Sequence, residues 1–107
     1  MIFISKHIVP KGFIGITLFP FIFLKRKDLK HNAELVNHEK IHLQQQKELF
    51  VVFFYFFYGI EWFLKFLKYR NGFLAYKNIS FEREAYLNET NLYYLDKRKN
   101  WAFINYL

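Results

Sequence analysis

A run of bulky apolar residues occupies the middle of this sequence and limits the folds that are open to it. Sixteen of the nineteen residues from 49 to 67 are apolar, and only Gly59, Glu61 and Lys65 interrupt them. The run is close to the roughly 20 residues that a helix needs to cross a bilayer. It therefore predicts one of three arrangements: a membrane span, a re-entrant helix pair that turns near Gly59, or a helix pair of a soluble protein.

The charge of the chain favours an anionic partner. Sixteen Lys and Arg against nine Asp and Glu give a formal net charge of +7, and we expect association with a membrane surface or bilayer, integral or peripheral. Basic residues lie on both sides of the apolar run, so the positive-inside rule gives no orientation. They form scattered clusters that flank apolar segments and do not make one stripe with interleaved base-stacking aromatic residues, so we expect no nucleic-acid partner.

The length of 107 residues allows one domain, spanning 1–107, with a modest core. The first ten residues include Lys6 and His7 and show no small-residue cleavage pattern after an apolar run. We therefore expect no cleavable signal peptide. The sequence leaves the oligomeric state open.

The first thirty residues favour strands over helices. Short runs of β-branched and aromatic residues alternate there with turn-forming residues at Pro10, Gly12 and Pro20. This pattern predicts a small antiparallel sheet at the N-terminus.

The rest of the chain favours helices. Asn32 fits the N-cap of a first helix, and nothing from residue 33 to 58 breaks it. A last helix is predicted to start with Ser80 as its cap and to run to about residue 98. The predicted fold class is therefore α+β: a small N-terminal antiparallel sheet followed by about three helices, with the helical part dominant.

The first predicted helix carries an HExxH motif, formed by His38, Glu39 and His42. The two histidines are one helical turn apart, so both imidazoles leave one face and can bind one metal ion at about 2.0–2.1 Å. Glu39 is turned from His38 by about 100°, which places it to contact a metal-bound water as a general base. Because the chain has no cysteine, His, Asp and Glu are its strong metal ligands. The alternative is a solvated helix face that contains two histidines by chance.

A catalytic zinc ion needs a third protein ligand. Glu61 follows His42 by eighteen residues, but a continuous helix would carry it more than about 20 Å away. Glu82 is favoured, because a segment returning over residues 60–78 would bring the last helix level with His42. Glu84 would then face elsewhere. The other candidates are Glu89, Asp96, His7 and His31.

The order of HExxH, a long apolar segment and a Glu-x-x-Ala motif that opens a helix resembles the gluzincin metallopeptidases. The likeness is to their membrane-associated branches, the CAAX-type proteases and the peptidase domains of antibiotic-sensing receptors, and it covers about residues 34–89. It implies a single minimal zincin-like metallopeptidase domain in which Zn²⁺ is bound by His38, His42 and Glu82. Tyr86 stands where the family usually has an aspartate that orients the first zinc-binding histidine.

The function implied by this resemblance is zinc-dependent hydrolysis of a peptide or protein substrate by a membrane-associated metalloendopeptidase. Glu39 would be the general base on a zinc-bound water. An edge strand before the active-site helix, at residues 13–18 or 21–24, would bind the peptide by β-augmentation. An oxyanion-stabilising tyrosine or histidine is also expected, and eight tyrosines leave its identity open. The alternative is a zinc-binding but proteolytically inert membrane-associated protein, because so short a chain leaves little for a substrate cleft.

Overall fold

The computed structural model describes residues 2–107 and contains three β-strands and five α-helices in that range. The predicted α+β class, with the helical part dominant, is confirmed. The strands are β1 (Ile2–Ile4), β2 (Gly15–Leu18) and β3 (Phe21–Leu24). The helices are α1 (Ala33–Glu48), α2 (Val52–Tyr69), α3 (Gly72–Lys77), α4 (Ser80–Asn88) and α5 (Tyr94–Lys97), with 3-10 turns at Lys27–His31 and Ala102–Tyr106.

The sheet is mixed, whereas the sequence predicted an antiparallel one. Its order is β1-β3-β2, with β2 and β3 antiparallel and β1 parallel to β3. The segment after β1 crosses to the far edge of the sheet before β2 begins, so the hairpin of β2 and β3 returns alongside β1. Alternation of residue types identifies strands, but it does not specify the order in which they pair.

The first long helix is broken, which corrects the prediction of an uninterrupted helix from 33 to 58. Phe50 and Val51 both have positive φ, at 55° and 64°, and α1 and α2 meet at a bend of 111°. The bend brings Leu49 and Phe54 into one buried cluster with Phe81. Burial of these side chains compensates for a backbone conformation that L-residues disfavour.

Of the three arrangements predicted for the apolar run, the helix pair that turns near Gly59 is wrong, because Gly59 lies within α2. The last predicted helix differs from α4 at both ends. The N-cap is Ile79 and not Ser80, which is already the first residue of the helix. The helix ends at Asn88, well before residue 98. The Asn32 cap of α1 is confirmed, since its side chain accepts a hydrogen bond from Leu35 N.

Within residues 2–107, no single helix has both the length and the apolar character needed to cross a membrane. One pair, α1 with α2, meets that test only when the two are taken together across their bend.

Two small cores position the site. One joins the sheet to the start of α1 through Ile22, Leu24 and Leu29. The other joins α2, α4 and the C-terminal 3-10 turn around Phe81. Since α1 contacts β2 on one side and α4 on the other, its HExxH residues lie between the sheet and the helix that carries Glu82.

Candidate metal centre

Three buried side chains converge where α1 meets α4. His38 and His42 come from α1, and Glu82 comes from the first turn of α4. The two Nε2 atoms are 3.1 Å apart, and Glu82 Oε1 lies 3.3 Å from His38 Nε2 and 3.0 Å from His42 Nε2. This buried group could hold a metal ion. The structure thus brings together the three residues that the sequence favours as ligands.

The triangle formed by these three donor atoms fits a tetrahedral zinc ion. Bonds of about 2.0–2.1 Å in tetrahedral arrangement place neighbouring donors about 3.3–3.4 Å apart. The observed separations of 3.0–3.3 Å are slightly smaller. Side-chain movements of a few tenths of an ångström would therefore open the triangle to the size of a zinc site.

Oxygen atoms next to the Nδ1 atoms of His38 and His42 indicate which nitrogen of each ring faces the other two candidate ligands. His42 Nδ1 lies 2.8 Å from Gln45 Oε1, so we assign the proton to Nδ1. His38 Nδ1 lies 3.4 Å from Glu89 Oε1, so a carboxylate stands behind this ring as well. Nε2 is then the nitrogen of each ring that can offer a lone pair to a metal ion beside Glu82 Oε1. Three electron-pair donors that face one point repel each other unless a cation or a proton lies between them.

Tyr86 does not take the role of the aspartate that the family resemblance places at its position. Its ring packs edge-on against His38, with the centroids 4.5 Å apart, and its hydroxyl lies 2.8 Å from Tyr76 Oη. The carboxylate behind His38 is that of Glu89, which the sequence singled out only as a possible ligand. Gln45 was missed altogether, although its position three residues after His42 on one helix was a usable signal.

When no metal ion is bound, His42 carries an extra proton beside the Glu82 carboxylate. Burial disfavours a charged imidazole, but the Glu82 carboxylate outweighs burial and raises the pKa of His42 to about 9. Burial also favours a neutral Glu82, yet the charge of His42 and hydrogen bonds from both histidines hold the pKa of the Glu82 carboxyl well below its usual range. Near neutral pH a metal ion must therefore displace the His42 proton in order to bind.

Glu39 lies beside the ligand group and lines the same cavity of about 190 Å³ as His38, His42 and Glu82. Glu39 is buried, and Thr17 Oγ1 on β2 lies 2.8 Å from Glu39 Oε1, to which it can donate. Because Thr17 belongs to the sheet, the sheet fixes the orientation of the Glu39 carboxylate. Glu39 is thus placed to exchange a proton with a molecule held in the cavity.

The remaining candidate ligands lie elsewhere. Glu61 accepts hydrogen bonds from Ser80 N at 2.9 Å and Ser80 Oγ at 2.6 Å, so it caps the start of α4. Three further candidates are exposed at the surface, namely His7, His31 and Asp96.

Glu84 belongs to a buried ion-pair network behind the ligand group. Arg98 donates to Glu84 and also to Glu48 Oε2, at 2.7 Å in the second case. Gln45 Nε2 donates to Glu84 Oε1 at 2.9 Å. Because Gln45 also accepts from His42, one side chain links this network to a candidate metal ligand.

We expect Arg98→Met to destabilise the fold by about 3 kcal/mol, because two buried carboxylates lose their shared cation. The side chains of Arg98, Glu48 and Glu84 are only 2%, 5% and 0% exposed. The matched control is Arg26→Met, whose pair with Asp28 is exposed and contributes about 0.5 kcal/mol or less. Urea unfolding of both variants measures the difference, and equal losses of unfolding free energy would contradict the prediction.

Three of the eight tyrosines line the cavity: Tyr55, Tyr58 and Tyr76. Tyr58 Oη donates to Glu82 Oε2 at 2.7 Å, which leaves Glu82 Oε1 for the histidines. Burial and the neighbouring Glu82 carboxylate raise the pKa of Tyr58 well above its ordinary value, so Tyr58 remains a donor.

We expect Tyr58→Phe to weaken zinc binding by about tenfold or more, because the variant removes the hydrogen bond that orients the carboxylate ligand. Tyr55→Phe is the matched control, since Tyr55 lies on the same helix and its hydroxyl donates to the Thr17 carbonyl at 3.3 Å. Competition titration with a zinc-sensitive dye measures both affinities. Equal affinities in the two variants would remove Tyr58 from this role.

No family model, no curated protein and no solved structure matches this chain.

Proposed function

We propose that this protein is a zinc-dependent metallopeptidase associated with a membrane. The observation that carries the proposal is the convergence of His38 Nε2, His42 Nε2 and Glu82 Oε1 within 3.3 Å of one another. Glu39, the residue after His38, lines the same cavity. Three protein ligands and a neighbouring carboxylate are the set that hydrolytic zinc sites use.

His38, His42 and Glu82 would hold the ion, which supplies Lewis-acid polarisation of the scissile carbonyl and lowers the pKa of a water molecule. Glu39 accepts the proton of the attacking water and transfers it to the leaving amine. Thr17 keeps Glu39 in place for both transfers through its hydroxyl. Tyr58 keeps the Glu82 carboxylate turned toward the histidines.

The cavity wall favours β2 over β3 as the strand that binds the peptide. β3 is the central strand, paired on both sides, whereas β2 is an edge strand. Gly15, Ile16 and Thr17 of β2 line the cavity. The Thr17 carbonyl already accepts hydrogen bonds from Gln46 and Tyr55. We therefore infer that a peptide would add to β2 near Gly15.

A zinc-binding protein without peptidase activity is the second candidate. The cavity of about 190 Å³ favours it, since pockets for small ligands commonly occupy about 300–1,000 Å³.

The test of the proposed function combines zinc content with turnover on one preparation. We expect equimolar zinc by elemental analysis and cleavage of a mixed peptide library by mass spectrometry, both lost with a chelator and restored by added zinc. Equimolar zinc without cleavage would favour the second candidate. A protein that fails to bind added zinc would exclude both.

A further inference from the structure

The outer face of α2 is apolar, where the exposed face of a helix is ordinarily polar. Its residues recur at intervals of three and four, so they share one side of the helix. Each is between 42% and 59% exposed, and none is charged. We define this outer face by six residues, which are Phe53, Phe56, Phe57, Ile60, Phe63 and Leu64.

Four side chains of α2 are hydrogen-bonded to the rest of the protein. Tyr55 and Tyr58 donate to Thr17 O and Glu82 respectively. Glu61 accepts from Ser80, and Trp62 Nε1 donates to Gly72 O. These contacts settle the orientation of the helix, whose polar side is bonded to protein while its apolar side is uncovered. A contiguous exposed patch of this kind marks an interaction surface.

Exposed cations flank the outer face in the sequence. Lys47 is in the last turn of α1, before the patch, and Lys68 and Arg70 follow it at the end of α2. An apolar stripe bounded by cations is complementary to an anionic bilayer, in which acyl chains receive the apolar residues and headgroups pair with the cations. A second copy of the chain would instead bring like charges together.

We propose that the outer face of α2 docks this protein on an anionic lipid bilayer, with α2 lying in the plane of the interface. The helix has 18 residues, about 27 Å in length. Because its other side is hydrogen-bonded to β2, α3 and α4, lipid cannot surround the helix. An in-plane position buries the apolar side in lipid and keeps the other side bonded to protein.

This docking places the cavity about one helix diameter, roughly 10 Å, from the lipid, because Tyr55 and Tyr58 of α2 line the cavity while Phe56 and Phe57 face outward. The substrate class follows as a peptide segment that lies at the lipid headgroups. That consequence rests on the proposed peptidase function, whereas the docking itself does not.

The test uses co-sedimentation of the full chain with vesicles of phosphatidylcholine containing about 30 mol% phosphatidylserine. We expect the native chain to sediment with these vesicles and to bind pure phosphatidylcholine vesicles at least about tenfold more weakly. The double variant Phe56→Asp with Phe63→Asp should lose at least about tenfold in vesicle affinity. Leu87→Asp is the matched control, since Leu87 is a 66% exposed apolar residue on α4, and it should sediment as the native chain does.

Three results would overturn the docking proposal: a native chain that stays in the supernatant, a Leu87→Asp variant that loses as much affinity, or a native dimer that the double variant dissociates in light scattering. Zinc affinity of the double variant should equal that of the native chain, which shows that the variant is folded. Because vesicle binding requires no turnover, loss of docking and loss of peptidase activity are separately visible.

Discussion

Glu39→Gln is expected to abolish peptide hydrolysis and to leave zinc binding intact. The amide keeps the shape of the carboxylate, but it cannot accept the proton of the attacking water. A positioned general base contributes about 10²–10⁴ to the rate, and Glu39 is held by Thr17 on the cavity wall. We therefore expect kcat/KM to fall by about 10²–10⁴-fold. Peptide cleavage and zinc content are measured on the same preparation.

The matched control for this variant is Glu34→Gln, which makes the same chemical change at an exposed carboxylate in the first turn of α1. It should cleave peptide at the native rate. An unchanged rate in Glu39→Gln would exclude Glu39 as the base. Loss of zinc from that variant would instead assign Glu39 to the coordination sphere.

Glu82→Ala is expected to lower zinc affinity by about 10³-fold, equivalent to ~4 kcal/mol. It removes the carboxylate whose Oε1 completes the donor triangle with His38 and His42. Two imidazoles remain, and these are too few for a closed protein site. Zinc affinity is measured by competition with a chelating dye, and circular dichroism checks that α4 is still folded.

Two further variants separate ligand loss from loss of structure. Glu82→Gln retains the volume of the side chain and should also bind zinc weakly, because a neutral amide oxygen is a poorer ligand than a carboxylate. Asp96→Ala removes an exposed carboxylate and should bind zinc as the native chain does. Native affinity in both Glu82 variants would assign the third ligand to another residue.

Local features of the sequence predicted local structure well. Asn32 caps α1 because its side chain needs only the backbone N–H of Leu35, three residues away. The one-turn spacing of His38 and His42 likewise fixes their shared face. The choice of Glu82 over Glu61 assumes one continuous helix, and the break at Phe50 and Val51 removes that premise. Glu61 instead lies outside the ligand group because it accepts hydrogen bonds from Ser80.

Features that depend on distant residues could not be predicted. The bend at Phe50 and Val51 opposes the local backbone preference, and it exists because Leu49 and Phe54 are buried with Phe81. Ser80 is the predicted cap of α4, but the side chain that caps this helix is Glu61, which lies 19 positions away in the sequence and accepts a hydrogen bond from Ser80 N. Glu89, not position 86, supplies the carboxylate behind His38, because side-chain reach decides that contact and spacing in a motif does not.

Helix α2 is constrained from both of its sides. Tyr58 holds the carboxylate of Glu82, and Glu61 holds the first residue of the helix that carries Glu82. A rotation of α2 about its own axis would therefore move Glu82, a candidate metal ligand, as well as the outer face. Substitutions on α2 should consequently be tolerated less often than its exposure to solvent suggests. A variant chain that acquires a different surface on this helix must still preserve the two inward contacts of Tyr58 and Glu61, so the outer face and the candidate metal centre cannot change independently.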